Sequence, residues 1–339
     1  LAPQYLEQAL RLSVTQGRPG GQAEIIITQA RLATCSGEWT RARALYSSAE
    51  ELWKMSNATR RMVRVELDYQ RGLLALSHVD ITEAQRLEDS LFYEERHLMP
   101  AQIRGHQLAT IRALLEGHIS EVALHLHEVA KTLPQEIPSL LHIWHLENQA
   151  NFHIMCGEPE VAAGLVKLLW EKSQREALYR MPRVRARLQL KLAQSLAAQL
   201  TRDFYTDRPQ RKEHLATMRS LLKQLIHRKM QLSYLEQEAL ARLKIRYCML
   251  ANKPRKGLKL LNRLGENTAS DNVSTVSHLA RIEIRAWLQL ELDLPQAQQL
   301  MDEASRLYRE HHIQSPLVLE GWPPLAENCT LKEDDATSS

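Results

Sequence analysis

A register of small residues set around a glycine turn recurs along this chain of 339 residues, and it limits the fold more than any other feature. Its clearest copy runs from Ala23 to Ser56. Ala30 and Ala33 precede Gly37, and Trp39, Ala42, Tyr46 and Ala49 follow it at helical spacing. Small residues let two helix backbones approach closely, where a larger side chain would wedge them apart. Glycine takes the positive φ of a helix end at no steric cost. The pattern therefore predicts a hairpin of two helices.

The register returns downstream. Around Gly117, Ala113 comes before and Val122, Leu126 and Val129 come after, up to Pro134. Around Gly157, Ala150 comes before and Ala162, Val166 and Leu169 come after, with His153 where a small residue is usual. A weaker copy has Gly72 and Ala75, a turn near His78, Val79 and Asp80, then Ala84. From Gly117 to Gly157 is 40 residues, and from Gly37 to Gly117 is 80, two such periods. The second half is less regular. Val184 to Leu200 reads as one long helix, followed by a loop from Thr201 to Pro209 and a helix over Leu215 to Ile226. Two more hairpins are expected over Leu235–Leu264 and Val276–Tyr308, turning at Asn252-Lys253-Pro254 and Asp293-Leu294-Pro295. Proline is well tolerated in the first turn of a helix. After His312 the pattern stops, and Cys329 to Ser339 is polar enough to be a loose tail.

Composition agrees with an all-α fold. Only 12 residues are Gly and 13 are Pro, while the hydrophobic share of 44% is ample for a core. Ile25-Ile26-Ile27-Thr28 is the main strand-like run, and it lies inside a helical pattern. Paired helices with small crossing residues resemble tetratricopeptide (TPR) units, which are normally about 34 residues long. The expected fold is an all-α, TPR-like right-handed superhelical solenoid of about seven helical hairpins, its concave face lined by the first helix of each hairpin. The expected divisions are an N-terminal helix and linker over residues 1–22, regular repeats over 23–172 and a basic long-helix hairpin over 173–230. C-terminal repeats follow over 231–312, then an extended segment and disordered tail over 313–339.

Sequence motifs for catalysis are missing. There is no Walker A motif, no G-x-G-x-x-G, no G-x-S-x-G and no H-E-x-x-H. No catalytic residue, metal ligand or cofactor is therefore expected. The 14 histidines include the neighbours His142 and His145 at i, i+3, for which packing or solvation is the expected role. Cys35, Cys156, Cys248 and Cys329 form no CxxC pair and read as free, mostly buried thiols of a reducing cytoplasm. No apolar run is long enough for a membrane span, and the start lacks the pattern of a signal peptide. The chain opens on Leu1 rather than Met, which suggests a piece of a longer protein.

Formal net charge is +4, too balanced to imply nucleic-acid binding by the whole chain. The charge is unevenly spread. Between Arg175 and Lys229 stand 14 basic residues against 4 acidic ones, an excess of 10, which leaves −6 for the rest. Two readings stay open for this region: a basic groove for an anionic ligand, acidic partner or nucleic acid, or an ordinary solvated helix face. By repeat register, Arg31, Tyr69, Arg104, Gln107, Trp144, Glu147 and Asn151 should face inward, and Arg187 of the basic region joins them as a ligand- or partner-binding candidate. Trp144 suits stacking of a sugar or anchoring of a peptide, or packing between repeats.

Two stretches carry a more specific resemblance. They are Gly17-Arg18-Pro19 through Ala23 to Ala30, continuing into Gly37-Glu38-Trp39-Thr40-Arg41-Ala42, and Pro316-Leu317-Val318-Leu319-Glu320-Gly321-Trp322-Pro323-Pro324-Leu325. Together with the longer period, they resemble the repeat region of the large ATP-dependent LuxR-type transcription activators of the MalT kind. The NTPase and helix-turn-helix of that family are absent from this sequence. The resemblance implies a cytoplasmic sensor region that binds an inducer or a partner protein in its groove, with self-association, and that reaches DNA only through a separate domain. The alternatives are a TPR scaffold gripping a partner's peptide or helix, and a nucleic-acid-binding repeat using the 175–229 region.

Overall fold

A computed structural model describes residues 2–56, 61–94, 97–133, 140–173, 181–202, 211–266, 273–320 and 322. Among them are fifteen α-helices and no strand. No helix is long and apolar enough to cross a membrane. The chain divides into two compact units, described separately.

The first unit holds α1 (Ala2–Thr15), α2 (Pro19–Ser36), α3 (Trp39–Met55), α4 (Arg61–Ser77), α5 (Ile81–Asp89) with a π-helical turn over Ser90–Glu94, and most of α6 (Met99–Glu116). It also takes the later part of α7 (Ile119–Thr132). The small-residue register explains how α2 meets α3. Ala23, Ala30 and Ala33 on α2 and Trp39, Ala42, Tyr46 and Ala49 on α3 are all buried. Gly37 ends α2 at φ 78°, and the cap returns N–H groups to the Ala33 and Thr34 carbonyls. Helix α2 begins at Pro19, ahead of Ala23, because proline presets the first helical turn. Residues 19–22 are therefore helix rather than linker.

The weaker copy is a hairpin too. Val79 turns it at φ 60°, an uncommon angle for a β-branched residue, and the Asp80 side chain accepts the Glu83 N–H to start α5. Gly72 lies so close to Leu108 of α6 that a methyl group there would overlap the Leu108 side chain.

The second unit contains α8 (Leu140–Met155), α9 (Pro159–Ser173), α10 (Pro182–Arg202), α11 (Arg211–His227), α12 (Tyr234–Leu250), α13 (Pro254–Glu266), α14 (Thr275–Leu290) and α15 (Ala297–Glu310), with the end of α6. Helix α10 is the long helix expected from Val184 to Leu200. Its Ala193, Leu196, Ala197 and Leu200 pack with Met218, Leu222 and Leu225 of α11 and Leu240 and Leu243 of α12. Ser233 and Glu236 form a reciprocal capping box that fixes the start of α12. The hairpin turns fall where expected, at Asn252 and Asp293, with φ of 56° and 51°. Pro254 opens α13, whereas Pro295 stands just outside α15, which starts at Ala297. Of the described cysteines, Cys248 is buried and Cys35 and Cys156 are partly exposed.

The chain does not trail away after α15. His312 turns it at φ 53°, and Pro316–Glu320 forms a 3-10 turn where an extended segment was expected. Ile313, Ser315, Leu317, Glu320 and Trp322 are buried. The stretch from 323 to the end lies outside the described residues.

Candidate binding faces

In the first unit, the four register candidates converge on one residue that the register did not single out. Glu66 of α4 pairs with Arg31 of α2 at 3.4 Å and with Arg104 of α6 at 3.3 Å. Gln70 donates to Glu66 at 2.9 Å. The Arg104 guanidinium lies 4.1 Å from the Tyr69 ring centroid and reaches Gln107 Oε1 at 3.4 Å. Tyr69 and Gln107 are buried, so only Arg31 of these four is exposed. The cluster ties α2, α4 and α6 together, with Arg31 as its exposed edge.

In the second unit the candidates also meet. Arg187 of α10 donates its Nε–H to Glu147 of α8 at 2.7 Å, holds its Nη2 2.6 Å from the other carboxylate oxygen, lies 5.9 Å from the Trp144 ring centroid, and approaches Glu236 of α12 at 3.7 Å. Lys191 donates to Asn151 at 2.6 Å. Both α8–α10 pairs join residues 40 positions apart, the repeat period seen as side-chain contact. Further along, Arg281 of α14 pairs with Glu238 of α12 at 2.8 Å.

This face of α8, α10, α12 and α14 carries the segment from Ile313 to Trp322. Gln314 donates its backbone N–H to the Leu115 carbonyl and its side-chain amide to the Leu114 carbonyl, each at 2.7 Å. Ser315 donates to Glu283 of α14 at 2.6 Å. The turn over Pro316–Glu320 packs beside α8 and α10, and Leu317 and Trp322 enter a cluster with Ile245, Met249, Ile284 and Leu288. Glu320 accepts two bonds from Arg242 of α12, at 2.8 and 2.6 Å, with both side chains buried. Trp322 lies 5.2 Å from the Arg246 guanidinium.

Charge burial shifts the groups beneath the segment. Glu283, which also accepts from Tyr308 at 2.7 Å, is raised above the usual carboxyl range, because desolvation outweighs the hydroxyl donors. Lys191 is pushed down to about 8 by desolvation, in spite of Glu147 and Glu320 nearby. A base depressed in the folded state binds fewer protons there than when unfolded. Its stabilisation is present above the unfolded value of 10.5 and is lost as pH falls through about 8. At neutral pH the charge on Lys191 is therefore a cost. Lys191→Met should raise the melting temperature at pH 7, and the advantage should shrink between pH 8 and 10.5. A pH-independent difference would show that Lys191 is solvated.

The basic run does not act as one surface. Arg187 and Lys191 are engaged as described, Arg202 pairs with Glu160, and Arg228 donates to Gln189. Arg219 and Lys223 stand exposed on α11. Arg175, Arg180 and Arg208 lie outside the described residues. His145 is buried and pushed down to about 4 by desolvation and by His142. Glu116, His118 and Glu121 bring one possible ligand atom each within 4.8 Å on a partly exposed turn, where His118 already pairs with both carboxylates.

Sequence reasoning missed Glu66, Arg242, Glu283, Glu320 and Trp322 as parts of these faces. Their only signal was position, on first helices of hairpins or in the segment after α15. No family model matches this chain, and no curated protein matches it.

Proposed function

We propose that this chain is a regulatory helical-repeat module, a TPR-like right-handed solenoid of about seven hairpins, that binds a short, turn-forming polypeptide segment along the face of α8, α10, α12 and α14. One observation carries the reading: that face already holds such a segment, the chain's own residues Ile313–Trp322, through two buried carboxylates and two apolar anchors. A surface that seats one short segment by backbone, hydroxyl and charge contacts has the chemistry to seat another. The own segment then acts as a competitor. A partner binds only the fraction of molecules in which the segment is undocked, which lowers its apparent affinity by that fraction.

The resemblance to LuxR-type, MalT-like activators supplies the setting. In that setting the module is the sensor region, and the partner or inducer biases a resting state against an oligomer-forming one by binding the two unequally. The activity is binding rather than catalysis, and contact with DNA belongs to a separate domain.

Trans-complementation tests the reading. Glu320→Ala removes one half of the segment's ion pair and leaves Arg242 seeking a carboxylate. A labelled peptide covering residues 311–323 should bind this variant at least about tenfold more tightly than it binds the parent chain. The same peptide carrying the alanine should not. If neither chain binds the wild-type peptide while Glu320→Ala keeps its fold, the face is a packing surface and the proposal fails.

A further inference from the structure

On another side of α12, a cleft of about 340 Å³ opens between α11, α12 and α13. Arg219 and Lys223 come to it from α11, Lys244 from α12, and Lys253 and Lys256 from the start of α13. Its floor and walls are apolar, built from Leu222, Ile226, Tyr247 and Leu260. No acidic residue lines it. Among the described residues, none of these five cations has an ion pair, whereas Arg187, Arg202, Arg242 and Arg281 of the same unit are all paired.

Five like charges around a half-enclosed apolar hollow repel one another and gain nothing from folding by themselves. Burial lowers Lys244 below the usual ammonium range, and Lys229, outside the cleft, adds to the shift. Helix α13 begins at Pro254, between Lys253 and Lys256, and its first-turn N–H groups add positive potential at the same end. Ile226 is 48% exposed at the rim, an apolar surface with no protein cover. The volume falls at the lower end of the range for small-ligand sites, and the enclosure by three helices differs from an open nucleic-acid track with stacking aromatics.

We infer that the cleft between α11, α12 and α13 is a binding site for a small molecule with an apolar body and at least two negative charges, held by Arg219, Lys223, Lys244, Lys253 and Lys256. A phosphate ester and a dicarboxylate share that chemistry. The site is separate from the face that holds Ile313–Trp322 and does not depend on the function proposed for that face.

Calorimetric titration of the full chain tests it with four compounds: naphthyl phosphate, a naphthalene dicarboxylate, naphthol and inorganic phosphate. One or both of the ring-bearing dianions should bind saturably, and naphthol and inorganic phosphate at least about tenfold more weakly. A preference for the phosphate or the dicarboxylate identifies the source. Combining Lys223→Gln, Lys244→Gln and Lys256→Gln should weaken the preferred dianion at least about tenfold while leaving the melting temperature equal or higher. Lys259→Gln, on α13 but not lining the cleft, should change nothing. The inference is overturned if neither dianion binds below about 1 mM, if the triple variant binds like the parent, or if only a long polyanion binds.

Discussion

Arg242→Met is expected to release the segment from Ile313 to Trp322 while the helices beneath it stay folded. The pair it breaks is buried on both sides, and Arg242 also reaches Ser277 at 3.4 Å. Removing one partner leaves Glu320 as an uncompensated buried carboxylate, a loss of about 3–5 kcal/mol. The chain has a cheap escape from that loss. The segment follows the last helix, so undocking it exposes Glu320 to water without opening a hairpin. The docking equilibrium should fall by roughly two to four orders of magnitude. Amide exchange over residues 313–322 should become fast, while α8, α10 and α12 keep their protection. The double variant Arg242→Met, Glu320→Met should restore slow exchange, since an apolar pair can replace a buried ion pair at little cost. If Arg242→Met exchanges as slowly as the parent over 313–322, the ion pair is not what holds the segment.

The contrast between Arg242–Glu320 and Ala30–Gly37–Ala42 shows which parts of this protein its sequence reveals. Small residues at helix crossings and glycines at helix ends are local requirements, so each hairpin of the first unit could be read within about one repeat length. Asn252 and Asp293 were found through their prolines and polar neighbours. Val79 was found only through the polar residues beside it, since a β-branched residue is a poor sign of positive φ. Register marked Glu147 and Asn151 as inward-facing, but their partners Arg187 and Lys191, each 40 positions on, came only from the structure.

The hub at Glu66 was harder. Register shows which side of a helix faces inward, but it does not reveal which carboxylate two arginines from different helices will share. The seat of Ile313–Trp322 was not legible at all. Its residues have no period, and their burial depends on Arg242, 78 positions away, and on Glu283, 32 positions from Ser315. The two readings of the basic run stayed open for a similar reason. A local charge sum cannot see that Glu147 and Glu160 neutralise part of the run from outside it, or that Lys244, Lys253 and Lys256 join another part.

Trp39→Ala should produce the largest loss in the first unit, about 3–5 kcal/mol, the usual range for truncating a buried tryptophan. Trp39 is 2% exposed at the start of α3, and its ring meets His78, in the next hairpin's turn, edge-on at 5.4 Å. The cavity would therefore open between two hairpins rather than within one. In the proposed solenoid each hairpin would be supported by its neighbours alone, so the damage should be local. Amide exchange should accelerate in α2, α3 and the α4–α5 turn and stay unchanged in α12 and α13. A second readout follows from His78. Burial, with a smaller push from Arg43, lowers it to about 4. Water entering the cavity removes the desolvation, so the His78 titration should move up toward 6.5, which nuclear magnetic resonance can follow. In urea the midpoint should fall while the slope stays constant, as for a change in stability without a change in the unfolded state. A loss under about 1 kcal/mol with His78 unmoved would mean that the ring does not join the two hairpins.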